Sequence, residues 1–233
     1  MSENLSSKTE EQRIEKLTSE RKKLEKLVVK FPVGVKQLKL FLKLKVEYGL
    51  SSLKTIKTRE DYYSQSYERR CQILQAPNLN TYTLWKTIVM KNKKYREELA
   101  DDPTYPQFIG VIVQYMTKLH SAKLSDLMKD YQNSRTQSDI KASKKNFHFR
   151  VADEQESLDI TRCEFNGVTP FEWDQKTYGN IPIVISENLL NLDPQYFYLG
   201  AGEYTTKFGI SIEDFRKYHG DNLIFGDIIE PLI

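Results

Sequence analysis

The pattern of apolar residues changes near residue 78, and this change limits the folds open to the chain. Up to residue 77 the apolar residues follow helical spacing among many charges. From residue 80 onward, short apolar runs of the strand type alternate with helical segments. The sequence therefore predicts an α+β domain with a mixed sheet and surrounding helices at residues 78–233, preceded by a basic helical N-terminal extension at residues 1–77.

Three helices are predicted in the N-terminal extension. Residues 9–30 contain no Gly or Pro and place apolar residues at spacings of three, four and seven, and Phe31-Pro32 ends the pattern. Residues 35–48 also follow helical spacing, although alternating Leu and Lys leave a strand open there. A third helix is predicted at residues 62–74, behind a segment at 58–61 that resembles a capping box.

The rest of the chain alternates between strands and helices. Strand patterns cover residues 82–90, 108–115, 146–151, 181–185, 195–200 and 223–225. Helical patterns cover residues 121–131, 153–158 and 211–218. The run at 108–115 is apolar apart from Gln114, which indicates a buried strand.

Composition bounds the class of protein. The chain has 233 residues and is 39% hydrophobic, which is enough for a real core. No signal peptide and no membrane-spanning run is visible, so we expect a soluble cytoplasmic protein without a membrane partner. Cys71 and Cys163 are isolated, which excludes a zinc knuckle built from cysteine alone and predicts ordinary reduced thiols.

Positive charge is concentrated in the N-terminal part. Residues 1–60 carry 15 Lys and Arg against 8 Asp and Glu, a balance of +7, whereas the remainder carries 20 against 24, a balance of −4. Such asymmetry is typical of a surface that binds a polyanion such as RNA. It is equally typical of a solvated helix face, and the sequence leaves both interpretations open.

No standard catalytic motif is present. The chain lacks G-x-S-x-G, a phosphate-binding P-loop and H-E-x-x-H, and its three histidines stand at unrelated positions. This argues against a protease, esterase or kinase of the usual kinds. No cluster of metal ligands is visible, so neither a metal nor an organic cofactor is expected.

Three segments carry the candidate site. They are the strand Leu84-Trp85-Lys86-Thr87-Ile88-Val89-Met90, the loop Phe165-Asn166-Gly167-Val168-Thr169-Pro170-Phe171 and the strand end Leu199-Gly200-Ala201-Gly202-Glu203. Glycines let a ligand approach the backbone closely, and Pro170 fixes the exit of the loop. Read separately, the loop is a plain turn and Lys86 a solvent-facing strand lysine. Taken together, the three segments indicate a site.

In this order, the segments resemble the YbaK/prolyl-tRNA synthetase-associated domain family over residues 78–219, and the resemblance is closer to the eukaryotic free-standing members. The resemblance implies a hydrolase that removes wrong amino acids from tRNA, with water activated by the substrate's own ribose hydroxyl and the carbonyl oxygen stabilised by backbone N–H groups. The implied partners are tRNA and an aminoacyl-tRNA synthetase.

The resemblance also assigns roles to residues. It implies that Lys86 and Gly167 are catalytic, with Lys86 acting by positioning and charge. The substrate-binding residues that it implies are Thr87, Asn166, Val168, Thr169, Pro170, Gly200 and Gly202. Asn166 stands where the bacterial loop G-x-x-x-P has its first glycine, and Asn also tolerates left-handed backbone geometry.

Two alternatives remain open at the level of sequence. The protein could be a non-catalytic tRNA-binding or synthetase-binding protein that retains the fold, an interpretation that the substituted glycine favours. The resemblance could also extend to the fold alone, with an unrelated small molecule as ligand.

Overall fold

The computed structural model describes residues 15, 18–19, 34–100, 102–135 and 142–232. Most of the helix predicted at residues 9–30 lies outside the described residues, and residues 15, 18 and 19 within it are helical. The α-helices are α1 (Val35–Val46), α2 (Tyr67–Leu74), α3 (Ser121–Arg135), α4 (Glu154–Thr161), α5 (Gln175–Tyr178) and α6 (Ile212–His219).

Ten strands accompany these helices in the described part of the chain. They are β1 (Lys54–Lys57), β2 (Trp85–Asn92), β3 (Phe108–Gln114), β4 (Thr117–Leu119), β5 (Phe149–Val151), β6 (Ile183–Ser186), β7 (Tyr196–Gly200), β8 (Thr206–Ser211), β9 (Leu223–Gly226) and β10 (Ile229–Pro231). Short 3-10 turns connect several of them.

A five-stranded mixed sheet forms the centre of the fold. Its strand order is β5-β2-β3-β6-β9; β5, β2 and β3 pair antiparallel, whereas β3, β6 and β9 pair parallel. A second, antiparallel sheet has the order β1-β8-β7, and β4 pairs with β10. The predicted α+β class with a mixed sheet is therefore confirmed.

Strand β3 shows why the central sheet is buried on both faces. Phe108 and Ile112 point into a core shared with the β1-β8-β7 sheet and α6, whereas Ile109, Val111 and Val113 point into a core with α3. Alternate residues of a strand face opposite sides, so an uninterrupted apolar run fills both cores. All residues of β3 are buried, which confirms the buried strand predicted at 108–115.

The first part of the chain packs into the same core. Leu44, Leu50 and Leu53 are buried in the cluster that contains Trp85 and Phe208. The prediction of a largely helical segment holds for α1 and α2, but it was wrong for residues 54–57, which pair with β8 as an edge strand. Four residues with a lysine at each end give too short a pattern to be recognised. The division of the chain at residue 77 stays a prediction.

The third predicted helix also needs correction at its start. Residues 60–64 form a 3-10 turn, and α2 begins at Tyr67 after Ser66, whose hydroxyl accepts the Arg69 N–H. The capping box suggested at residues 58–61 is therefore not the start of this helix. Ser66 is a better cap because its side chain reaches the third helical N–H.

No helix in the described ranges is both long enough and apolar enough to cross a membrane.

We expect Gly110→Ala to destabilise the fold, because a Cβ at this position of β3 would lie 2.6 Å from Cη2 of Trp173 and 2.5 Å from Cδ1 of Ile183. Overpacking of this kind costs about 1–3 kcal/mol. Urea unfolding measures the loss as a lower midpoint at unchanged slope.

The matched control is Ile183→Val, which removes the Cδ1 atom that the new methyl group would meet. The double variant is expected to lose less stability than the two single variants together, since the two changes relieve each other. An unchanged midpoint for Gly110→Ala would show that this contact is looser than the structure has it.

Candidate functional site

The two sheets meet where the predicted site segments lie. Leu84, just before β2, forms an isolated parallel bridge with Tyr198 of β7, and the rings of Trp85 and Phe197 contact each other edge to face at 6.1 Å. The two segments run parallel from this bridge, and Lys86 and Gly200 each lie two residues beyond it. The two residues are therefore neighbours. The fold thus brings two of the three predicted segments together.

A cavity of about 580 Å³ opens beside this junction. Of the predicted site residues, it is lined by Lys86, Thr87, Asn166, Val168 and Gly200. Its other walls come from β5 and α4 and from the chain that follows α4. Sequence reasoning missed the β5–α4 wall, because no recognisable motif marks it.

Four predicted residues lie outside this lining. Gly167 and Gly202 are buried where the loop packs against the end of β7. Thr169 is buried within the loop, and Pro170 lines a different cavity together with His219. In the structure the cavity is therefore bounded by the first half of the loop, and Pro170 faces away from it. The roles assigned to these residues stay predictions.

The loop rests on the end of β7 through close backbone contacts. The Gly202 N–H donates to the carbonyl oxygen of Gly167 at 2.7 Å, and a Cβ on Gly167 would lie 2.7 Å from the Glu203 carbonyl carbon. A Cβ on Gly200 would lie 2.6 Å from the Gly167 carbonyl oxygen. Only glycine fits at both positions, since any side chain would push the loop off the strand.

Residues 164–167 form a tight turn at the mouth of the cavity. The Gly167 N–H donates to the Glu164 carbonyl oxygen at 2.9 Å, and Asn166 has a φ of 61°. A positive φ at the third residue is the geometry of a type II turn, which favours Gly or Asn there. Asn166 therefore provides the left-handed geometry that a glycine would otherwise supply.

Lys86 is the cation of the cavity. It is half-buried, and burial lowers the pKa of its ammonium group. Its Nζ lies 5.8 Å from the centre of the Tyr115 ring, and no carboxylate in the described part of the chain pairs with it. A cation without a carboxylate partner is available to an anionic or carbonyl oxygen of a ligand.

Two buried threonine hydroxyl groups near the cavity lack hydrogen-bond partners within the described residues, those of Thr87 and Thr169. Thr87 lines the cavity, and Thr169 lies behind it with its carbonyl oxygen accepting the Trp173 indole N–H. An unpaired buried hydroxyl costs free energy, which a polar ligand group can recover. Thr87 is the one placed to meet such a group.

A buried network that the sequence did not reveal holds the turn from behind. The Tyr63 hydroxyl donates to the carbonyl oxygen of Asn166, and the Lys207 Nζ donates to the Tyr63 hydroxyl at 2.9 Å. Lys207 is almost wholly buried, and burial, followed by the nearby charge of Arg70, lowers its pKa to about 7. In sequence it is one more strand lysine.

Arg70 is also buried, inside a cluster of tyrosine rings. Its guanidinium lies 5.2 to 5.5 Å from the centres of four rings, those of Tyr62, Tyr63, Tyr67 and Tyr115. The structure places them around Arg70, and Tyr62 is wholly buried.

The remaining candidate groups have structural contacts. Glu203, which sequence reasoning took for a strand-end residue, accepts bonds from Thr206 and Lys57. Burial by itself raises the pKa of Glu203, and these two hydrogen bonds outweigh it and lower the pKa. In the described ranges no three His, Cys, Asp or Glu residues are arranged to hold a metal ion.

No protein-family model matches the chain, and no curated protein matches it in sequence. Several solved structures match it in fold. One, described as a "putative trans-editing enzyme for prolyl tRNA synthetase", is 14% identical with a TM-score of 0.60, over 85% of this chain and 99% of that chain.

The second comes from work on epitope backbone grafting onto scaffold proteins by computational design; it is 13% identical with a TM-score of 0.59, over 86% of this chain and 100% of that chain. The third is a hypothetical protein, 14% identical with a TM-score of 0.54, over 83% of this chain and 99% of that chain. At such identities the likeness shows a shared fold.

We expect Lys207→Met to remove a pH dependence of stability. Between pH 7 and the ordinary lysine pKa of 10.5, the unfolded chain holds a proton that the buried native amine has lost. The free energy of unfolding of the unmodified protein therefore rises with pH in this window, by up to about 1.4 kcal/mol per pH unit. Urea unfolding from pH 7 to 9.5 measures this slope.

The range stops at pH 9.5 because burial raises the pKa values of Tyr62 and Tyr63, so that stability falls once unfolded tyrosines ionise. Lys93→Met, at an exposed lysine, is the matched control and should leave the slope unchanged. Equal slopes in all three proteins would mean that Lys207 stays charged.

Proposed function

We propose that this protein is an aminoacyl-tRNA deacylase that hydrolyses the ester bond of mischarged tRNA. The observation that carries the proposal is the position of Lys86, a half-buried cation without a carboxylate partner, in the cavity between the 164–168 turn and the end of β7. The shared fold with the solved structures and the sequence resemblance to editing domains support it.

The cavity contains the groups that such a reaction needs for charge stabilisation. Lys86 supplies a positive charge for the ester carbonyl or for the terminal phosphate, and the Thr87 hydroxyl supplies an unpaired donor or acceptor. Among the described residues, neither the Asn166 N–H nor the Val168 N–H donates a backbone hydrogen bond. Donors already held in place stabilise negative charge as it develops on an oxygen.

No histidine lines the cavity, and the carboxylates in its wall are Asp153, Glu154 and Glu164. Two of them accept backbone N–H groups, from Glu156 for Asp153 and from Tyr204 for Glu164. This arrangement fits a reaction in which the ribose hydroxyl next to the ester activates water, with the protein holding the ester and stabilising its oxyanion.

The contribution of α1 to RNA binding is smaller in this proposal than its four lysines suggest. Of the four lysines in α1, three already bond to other groups of the protein: Lys36 donates to the Arg162 carbonyl, Lys43 pairs with Glu172, and Lys45 donates to the Ser51 carbonyl. Phosphate contacts from α1 would have to compete with these bonds.

The test is hydrolysis of a panel of mischarged tRNAs, including Ala-, Cys- and Ser-tRNA, by the purified protein. We expect one ester to be cleaved, and Lys86→Ala to lower kcat/KM about 100- to 1000-fold, the effect of removing one donor from a charge-stabilising site. Since Lys86 pairs with no carboxylate, the variant should keep its melting temperature within a few degrees.

Lys93→Ala, at an exposed lysine that does not line the cavity, is the control and should leave kcat/KM unchanged. If no ester is cleaved while uncharged tRNA still binds, the protein is instead a non-catalytic tRNA-binding protein that keeps the fold. Equal activity of Lys86→Ala and the unmodified protein would remove Lys86 from the mechanism.

A further inference from the structure

The mouth of the cavity is apolar, although it faces solvent. Phe165 is 71% exposed, Val151 61% and Leu158 44%, and all three line the cavity. Single exposed apolar residues are common on protein surfaces, but a group of three at the rim of one cavity is typical of a binding surface. We refer to these three residues as the apolar rim.

The phenyl ring of Phe165 stands on a fixed support. Phe165 is the second residue of the turn that the Gly167 N–H closes onto the Glu164 carbonyl, and Tyr63 holds the carbonyl of the next residue, Asn166. The ring therefore projects from a turn held at both its ends and at its third residue. A support held in this way reduces the entropy lost when the ring binds a ligand.

The other side of the rim is held as firmly. Leu158 lies in α4, whose first turn is closed by a capping box between Asp153 and Glu156. Glu156 is in turn paired with Lys91 at 2.6 Å and with Arg150 at 2.8 Å. These contacts hold α4 in place, so the part of the apolar rim that it carries is well supported.

We propose that the apolar rim is a stacking platform for the terminal base of the RNA, with Phe165 against the face of the base. The inference rests on the proposed function, because it takes the ester to lie beside Lys86 deeper in the same cavity. An exposed phenyl ring and two exposed aliphatic side chains on one cavity offer an apolar surface for a flat heterocycle, and base–aromatic stacking is tolerant of base identity.

Charge at the mouth favours a neutral group at this place. The carboxylates of Asp153, Glu154 and Glu164 line the same cavity, and they would repel an anionic membrane surface or a phosphate group placed on the rim. A nucleobase is uncharged, so it can occupy the rim while the phosphates of the chain lie outside it. The rim therefore fits a base better than a lipid headgroup.

The experiment uses the full chain and two RNA hairpins that end in a single-stranded 3′ segment. One hairpin carries the terminal adenosine, and the other carries an abasic nucleoside at that position. Phe165→Ala is expected to weaken binding of the first hairpin about 5- to 100-fold and to leave binding of the second unchanged. Tyr82→Ala, at an exposed aromatic side chain outside the cavity lining, should bind both hairpins as the unmodified protein does.

Phe165→Trp is the conservative variant and gives a direct signal. Trp85 and Trp173 are both buried, so a tryptophan at 165 should emit as a solvent-exposed indole and be quenched by the adenosine hairpin alone. Affinity for this hairpin should be retained or increased, which a loss of folding in Phe165→Ala would not explain.

Three outcomes overturn the platform: equal affinity of the two hairpins for the unmodified protein, unchanged binding in Phe165→Ala, or a tryptophan at 165 whose emission shows it covered before RNA is added. Base-dependent binding without cleavage of any ester would support the stacking platform and contradict the proposed deacylase function. Ester cleavage with a KM that Phe165→Ala leaves unchanged would support the deacylase function and contradict the stacking platform.

Discussion

The close backbone contact between the 164–168 turn and the end of β7 is the constraint on which the cavity depends. A methyl group on Gly200 would meet the carbonyl groups of Gly167 and Val168, and one on Gly167 would meet the backbone of Glu203. The Gly202 N–H also donates to the Gly167 carbonyl oxygen. Because β7 is joined to β2 through the Leu84–Tyr198 bridge, this contact also sets the distance from the turn to Lys86. One wall of the cavity is thus fixed by close packing of backbone at glycine positions.

The buried Lys207 and Arg70 follow from the same requirement. A turn that carries exposed residues has few apolar contacts of its own, and here polar groups hold it instead: Lys207 bonds to Tyr63, and Tyr63 bonds to the Asn166 carbonyl. Burying an amine is costly, and the lowered pKa of Lys207 is the expression of that cost. A chain tolerates such a group only where several partners satisfy it, as the tyrosine cluster around Arg70 does.

The sequence predicted the class of fold because its strongest signals are local. The apolar run of β3 and the spacing of α3 need no knowledge of the tertiary structure. The same holds for the turn, where Asn166-Gly167 marks positive φ before any coordinates are known. Signals that depend on distant partners were missed. Strand β1 is defined by its pairing with β8, in which Lys57 faces Thr206, 149 residues further along the chain. Lys207 differs from a surface lysine only through its contacts with Tyr63 and Arg70.

The charges of the cavity distinguish between possible ligands. Under the proposed function, an aminoacyl ester brings a cationic ammonium group and a carbonyl oxygen that becomes anionic during hydrolysis. The cavity offers opposite charges to both, with carboxylates from Asp153, Glu154 and Glu164 in its wall and the ammonium of Lys86 beside the end of β7. Among the described residues of the wall, a purely anionic ligand would meet one cation and three acids. The balance of charge in the wall therefore fits a ligand of mixed polarity, which an aminoacyl ester is and a bare phosphate is not.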